Sequence, residues 1–164
     1  MFFKSPFDNF NIFKSFEDNV LSKTVTPIEG SVVYCVLTGV EHSGIYVGGG
    51  KIVHLDGSGK VESVTPKVFL DRLDGLNQAI TIYVSCDNTG DPVGSYVAAS
   101  RARMEVGKKR KYSLVSENCH QFIAGCLTDN FKISCSTFSS LKQLTKTEIG
   151  LRDWKAWESS DYRS

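Results

Sequence analysis

The sequence predicts an α+β domain in which an antiparallel sheet packs against helices. Three observations lead there. From Ser31 to Cys86, short β-branched and aromatic runs alternate with glycine turns, as in a β-meander. Apolar residues at helical spacing flank that region on both sides. A chain of 164 residues and 18.1 kDa also suits a single domain, one that buries roughly 70% of its unfolded surface.

The first twenty residues hold six phenylalanines, and Phe3, Phe7 and Phe10 recur at helical spacing. Residues 1–26 therefore read as an aromatic-rich arm or helix, docked on the body of residues 27–164 or touching a membrane or partner. Ser31 to Leu37 is strand-like, and Glu29-Gly30 before it is a turn. HSGIYV and KIVHL then flank Gly48-Gly49-Gly50, which makes a hairpin. Asp56 to Gly59 turns into a short strand from Lys60 to Val64, and Thr65-Pro66 opens a short helix through Leu73.

Ala79 to Cys86 is rich in strand-forming residues. Asp91-Pro92 reads as the N-cap and N1 of a helix that ends near Gly107, with Val93, Tyr96, Val97 and Met104 on one face. Tyr112 to Val115 is expected as a strand. Asn118 caps a helix reaching about Thr128, with Gln121 at N3 in a capping-box-like pair, and a last helix spans Ser136 to Lys146. Trp154 and Trp157 read as seals on the edge of the core.

Composition narrows the function classes. The chain is 41% hydrophobic and 23% charged with four prolines, which excludes disordered, collagen-like and disulfide-scaffold chains. Nineteen basic residues against eighteen acidic ones give a net charge of +1, which offers no whole-molecule attraction to nucleic acid. The KKRKY segment reads as solvated surface and helix C-terminal charge, with a binding patch as the alternative. Five cysteines without a Cys-x-x-Cys pair suggest a reducing compartment, so a cytoplasmic place is expected, with peripheral membrane association through the aromatic arm as an addition.

Three residues carry the chemistry: His42, His54 and Cys119. With a three-residue loop at Gly48 to Gly50, Val47 faces Lys51 and Gly44 faces His54. His42, Gly44, Tyr46, Ile52 and His54 then share one sheet face, with the imidazoles as diagonal neighbours and open space at Gly44 beside the ring. Cys119 stands at N1 of its helix, where free amides and the helix dipole favour a thiolate. A cysteine at a helix terminus facing a sheet with two histidines is the plan of a thiol nucleophile with an imidazole base. Zinc held by the same three residues is chemically permissible, but no short ligand spacing supports it, so neither metal nor cofactor is expected.

HSGIYVGGGKIVHLDG followed much later by ENCHQF resembles the lecithin:retinol acyltransferase-like branch of the NlpC/P60 papain-like superfamily, whose fold is circularly permuted. The resemblance covers about residues 27 to 128. It implies that His42 is the general base of the family's His-x-x-x-Tyr-Val-Gly pattern and that His54 is its second histidine. Cys119 matches the nucleophile of the Asn-Cys box, with Asn118 its partner in that motif. Two departures bear on the acyl pocket: His42-Ser43 replaces His-Trp, and Asn118-Cys119-His120-Gln121-Phe122 replaces Asn-Cys-Glu-His-Phe. A hydrophobic C-terminal anchor, which members acting on membrane lipids often possess, is not evident.

The resemblance implies acyl transfer through a thioester, hydrolysing or transferring the acyl group of a lipid ester. Peptidase or amidase chemistry is the alternative, and a non-enzymatic binding domain is the third reading. Tyr46 and Gly44 are candidate pocket residues, with core packing the expectation for Tyr46.

Overall fold

The computed structural model describes residues 23–37, 39–72, 77–113 and 118–162. Four strands form the expected meander: β1 (Val32–Leu37), β2 (Val40–Tyr46), β3 (Ile52–Leu55) and β4 (Val61–Val64). A short helix α1 (Pro66–Leu70) follows, then a two-stranded ribbon of β5 (Asp71–Arg72) and β6 (Asn77–Gln78), then β7 (Tyr83–Cys86). Helices α2 (Tyr96–Glu105), α3 (Cys119–Thr128) and α4 (Phe138–Ile149) come next, and β8 (Asp153–Ala156) closes the sheet. The six strands lie in the order β4-β3-β2-β1-β7-β8, and every neighbouring pair is antiparallel.

The glycine loop sets the register that matters most. Gly48, Gly49 and Gly50 all take positive φ, at 82°, 59° and 69°, a conformation that L side chains resist. Val47 N–H donates to the Lys51 carbonyl across the loop at 3.0 Å, and Ile45 pairs with Val53. This is the three-residue register expected from the sequence.

Strand alternation then sorts the sheet into two faces. Val32, Ile45, Val53 and Leu55 form one core with Ala98, Ala99 and Ala102 of α2 and with Phe122, Ile123 and Cys126 of α3. Val33, Cys35, Ile52 and Val84 form the other, around Phe69 of α1. All four residues of β3 are buried, as befits a strand covered on both sides.

Several local expectations are corrected. α2 is capped by Ser95, whose hydroxyl accepts from Ala98 N–H, and not by Asp91-Pro92. Residues 92 and 93 are still held against the sheet, because Pro92 bridges Cys86 and Val93 N–H donates to the Ser85 carbonyl at 2.9 Å. Its large apolar residues Tyr96, Val97 and Met104 are exposed, and its alanines are buried. Small side chains allow α2 to approach α3 closely, and no sequence period announces that choice.

The strand expected over Ala79 to Cys86 shortens to its second half. α1 ends at Leu70, α4 starts at Phe138, and β8 was not anticipated at all. Half of the strand expected at Tyr112 to Val115, and the helix expected in the first twenty residues, lie outside the described residues. Val25 is tied to the sheet, its N–H donating to the Ala156 carbonyl at 2.9 Å. No described helix is long and apolar enough to cross a membrane.

Candidate active site

The two histidines meet. His42 Nε2 lies 2.8 Å from His54 Nδ1, with the rings edge to face. On its other side, His54 Nε2 lies 3.1 Å from a carboxylate oxygen of Glu62, the residue directly across from it in the β3–β4 ladder. His54 is 1% exposed, so its two nitrogens are served by these partners inside the protein.

Hydrogen-bond valence orders the protons along this line. The Glu62 carboxylate can only accept, so His54 carries its proton on Nε2 and presents the Nδ1 lone pair to His42. His42 then donates from Nε2, which leaves its Nδ1 as the basic nitrogen. Glu62 was not singled out from the sequence. The signal was available, because the turn from Asp56 to Gly59 places residue 62 opposite residue 54.

Phe69 braces both imidazoles, its ring centroid 5.0 Å from that of His42 and 5.6 Å from that of His54. Here the expectation of open space at Gly44 is corrected. A Cβ on Gly44 would stand 2.5 Å from Ile52 Cγ2 and 3.1 Å from the Phe69 ring, so the space is already filled. Tyr46 shares the face, but its hydroxyl accepts from Gly50 N–H and its ring packs edge-on against Trp157. It braces the hairpin.

Cys119 opens α3 and is 5% exposed. Asn118 caps that helix: its side-chain oxygen accepts from the amides of His120 at 2.9 Å and Gln121 at 3.2 Å. Its side-chain amide donates to the Ser136 carbonyl at 2.6 Å, which ties the cap to the approach to α4. Gln121 makes no capping box and donates instead to the Ile133 carbonyl. The helix ends with Asp129 in the left-handed conformation.

The body of α3 packs on the Ile45–Val53 face, whereas the imidazoles project on the Phe69 face. Its N-terminal end reaches β2 beyond the last β2–β3 pair, where His120 Nδ1 lies 2.9 Å from Ser43 Oγ and 3.8 Å from Cys119 Sγ. This His120–Ser43 contact also escaped the sequence. Burial pushes the pKa of His120 down, opposed by the nearby Glu41 carboxylate. Among the other thiols, burial raises Cys86 to about 11 and Cys126 to about 12, and it raises Cys135 as well. Among the described residues, no group of three or more His, Cys, Asp or Glu side chains is placed to hold a metal ion.

A family model described as lecithin retinol acyltransferase matches residues 26–132, well over half of the chain. The chain belongs to the lecithin retinol acyltransferase family. A human relative, phospholipase A and acyltransferase 4, is 33% identical over 110 residues, spanning 59% of this chain and 67% of the human protein. The antiparallel sheet packed against helices agrees with the papain-like, NlpC/P60-related fold of this family. Membership supports acyltransferase or hydrolase activity in general.

Proposed function

We propose that this member of the lecithin retinol acyltransferase family is a cysteine enzyme that moves the acyl group of a lipid ester through a thioester on Cys119. The observation that carries the reading is the hydrogen-bonded line Glu62–His54–His42, with His54 buried at its centre. It leaves one imidazole nitrogen basic and holds the ring that bears it.

His42 takes the proton from the Cys119 thiol, and the thiolate attacks the ester carbonyl. The tetrahedral intermediate collapses with loss of the alcohol, which receives its proton from the His42 imidazolium, and an acyl-thioester remains. Water, an alcohol or an amine then attacks the thioester while His42 accepts its proton, and the thiol is restored. His54 orients the base throughout, and the Glu62 carboxylate stabilises the positive charge that the imidazole pair acquires. The positive end of α3 faces the oxyanion that forms next to the sulfur.

An apolar acyl chain is favoured by the surroundings of the helix terminus. Tyr34, Tyr83, Phe138 and Trp154 form a half-buried aromatic array on the α3 side of the sheet, and the Phe138 ring lies 5.8 Å from that of His120. Such a surface suits a hydrocarbon tail better than a polar peptide. The human relative's name, phospholipase A and acyltransferase, points the same way.

The test is intact-mass analysis of the protein and its Cys119→Ala variant after exposure to mixed phospholipid vesicles, with released fatty acid and lysolipid followed in the same tube. An acyl-sized adduct on the unmodified protein alone, with lipid products, is expected. If neither adduct nor lipid product forms, while a peptide or amide substrate is cleaved in a Cys119-dependent way, the lipid reading fails and peptidase chemistry replaces it.

A further inference from the structure

The residue that follows His42 touches the residue that follows Cys119. Strand alternation turns Ser43 to the face opposite His42, toward α3, and the start of α3 turns His120 onto the strand. Ser43 Oγ and His120 Nδ1 stand 2.9 Å apart, and the same nitrogen is 3.8 Å from Cys119 Sγ. Ser43 is 0% exposed and His120 only 6%, so the contact is shielded from water.

The direction of the bond follows from valence. Ser43 has one hydroxyl hydrogen and is wholly buried, and the Nδ1 lone pair is the acceptor in reach. If Nδ1 carried the proton instead, the hydroxyl hydrogen would be left without an acceptor among the described residues. His120 therefore keeps its proton on Nε2, and the Ser43 hydroxyl donates to Nδ1. The groups facing this imidazole are Ser43 and Glu41 on β2, Cys119 on its own helix and the Phe138 ring on α4. Tyr34 stands across from Ser43 in the β1–β2 ladder, and burial holds its proton up to about 12.

We propose that Ser43 and His120 are a positioning pair that fastens the Cys119 end of α3 to the strand carrying His42. The inference rests on the reading of Cys119 as nucleophile and His42 as base. The thiol and its base belong to separate elements, and a displacement of about 1 Å between reacting groups can cost on the order of a hundredfold in rate. A buried hydrogen bond between their immediate chain neighbours is a short tether between the two elements. These are also positions at which the chain departs from the family pattern, Ser43 after His42 and His120 after Cys119. Because the imidazole is neutral, it places no negative charge beside the sulfur, where a carboxylate would oppose the thiolate.

The pair is tested by the pH dependence of iodoacetamide alkylation at Cys119, read by peptide mass, and by kcat and KM on p-nitrophenyl butyrate. Ser43→Ala, His120→Ala, the double variant and His120→Asn are compared with the unmodified protein, and melting curves report their folding. Each alanine variant is expected to lose about tenfold in kcat with little change in KM, and to raise the alkylation midpoint by about one pH unit. The double variant should be no worse than the worse single, because the two side chains act as one unit. His120→Asn places an acceptor oxygen near the position of Nδ1 and should recover most of the loss.

Unchanged midpoints and kcat within about twofold, or losses that add in the double variant, overturn the pair. If His120→Ala does not fold, Ser43→Ala and His120→Asn decide alone. Slow labelling of Cys119 in the unmodified protein, at the pace of the other four cysteines, overturns the nucleophile reading and the pair with it. Fast labelling that no variant alters overturns the pair only.

Discussion

His42 and His54 share a hydrogen bond of 2.8 Å between Nε2 and Nδ1, and the outer nitrogen of His54 is held by Glu62. A carboxylate beside the imidazole pair stabilises the pair's protonated form. Replacing Glu62 by Gln keeps an acceptor oxygen but removes the charge. The expected result is a fall of about tenfold in kcat and an acid limb of the kcat/KM profile displaced to lower pH. His54→Phe, which offers His42 no acceptor, should cost more than Glu62→Gln. A pH–rate profile of Glu62→Gln that overlays the parent would show that Glu62 only packs.

Thiol reactivity should be sharply unequal. Burial lifts Cys86 to about 11 and Cys126 to about 12 and also raises Cys135, so these hold almost no thiolate near neutral pH. Cys119, at the capped terminus of α3, is expected to be alkylated first below about pH 7. Peptide mapping after a brief iodoacetamide pulse checks this. Comparable labelling of Cys126 in the native protein would contradict the burial that the fold implies.

Gly44 is expected to tolerate no side chain. The 2.5 Å approach of a Cβ to Ile52 and the 3.1 Å approach to Phe69 require the core to shift, at a cost of about 1–3 kcal/mol. Gly44→Ala should lower the melting temperature by several degrees. It should also depress kcat in the folded protein, because Phe69 is the ring against which both histidines rest. An unaltered melting curve would mean that Phe69 moves aside freely.

His120 links stability to pH. Its ordinary pKa is 6.5, and burial lowers it in the folded chain. Between the lowered value and 6.5, the unfolded chain binds a proton that the folded chain refuses. Its stabilising contribution is therefore complete above 6.5 and is lost progressively as pH falls toward the folded value. Melting temperatures measured at stepwise lower pH should fall less steeply for His120→Asn than for the parent. Parallel slopes would show that the imidazole protonates in place.

The hairpin of β2 and β3 shows how far the sequence reaches. Three adjacent glycines between two apolar runs specify a three-residue loop, and loop length sets register. The shared face of His42, Gly44, Tyr46, Ile52 and His54 was therefore legible without coordinates. The same holds for α3, which starts after Asn118 because an asparagine oxygen can satisfy two first-turn amides.

α2 marks the limit. Asp91-Pro92 has the composition of a helix start, yet Pro92 and Val93 are held by Cys86 and Ser85, so the helix waits for Ser95. Its exposed Tyr96, Val97 and Met104 invert the apolar face that spacing suggested, because a neighbouring helix selected the alanines. β8 is recognisable only once β7 offers it an unpaired edge.

The sequence by itself determined where His42, His54 and Cys119 fall: the strand pair that joins the two histidines and the helix terminus that holds the cysteine. Each of these follows from interactions among residues near in the chain: turn geometry, alternation and capping. Only the tertiary structure decided that the body of α3 packs on the face opposite the imidazoles while its Cys119 end reaches β2, that Phe69 fills the space at Gly44 and that His120 meets Ser43. Hydrophobic burial drives those choices. It is not directional, so an apolar stripe records that a face will be covered and leaves the partner to the packing of the whole chain.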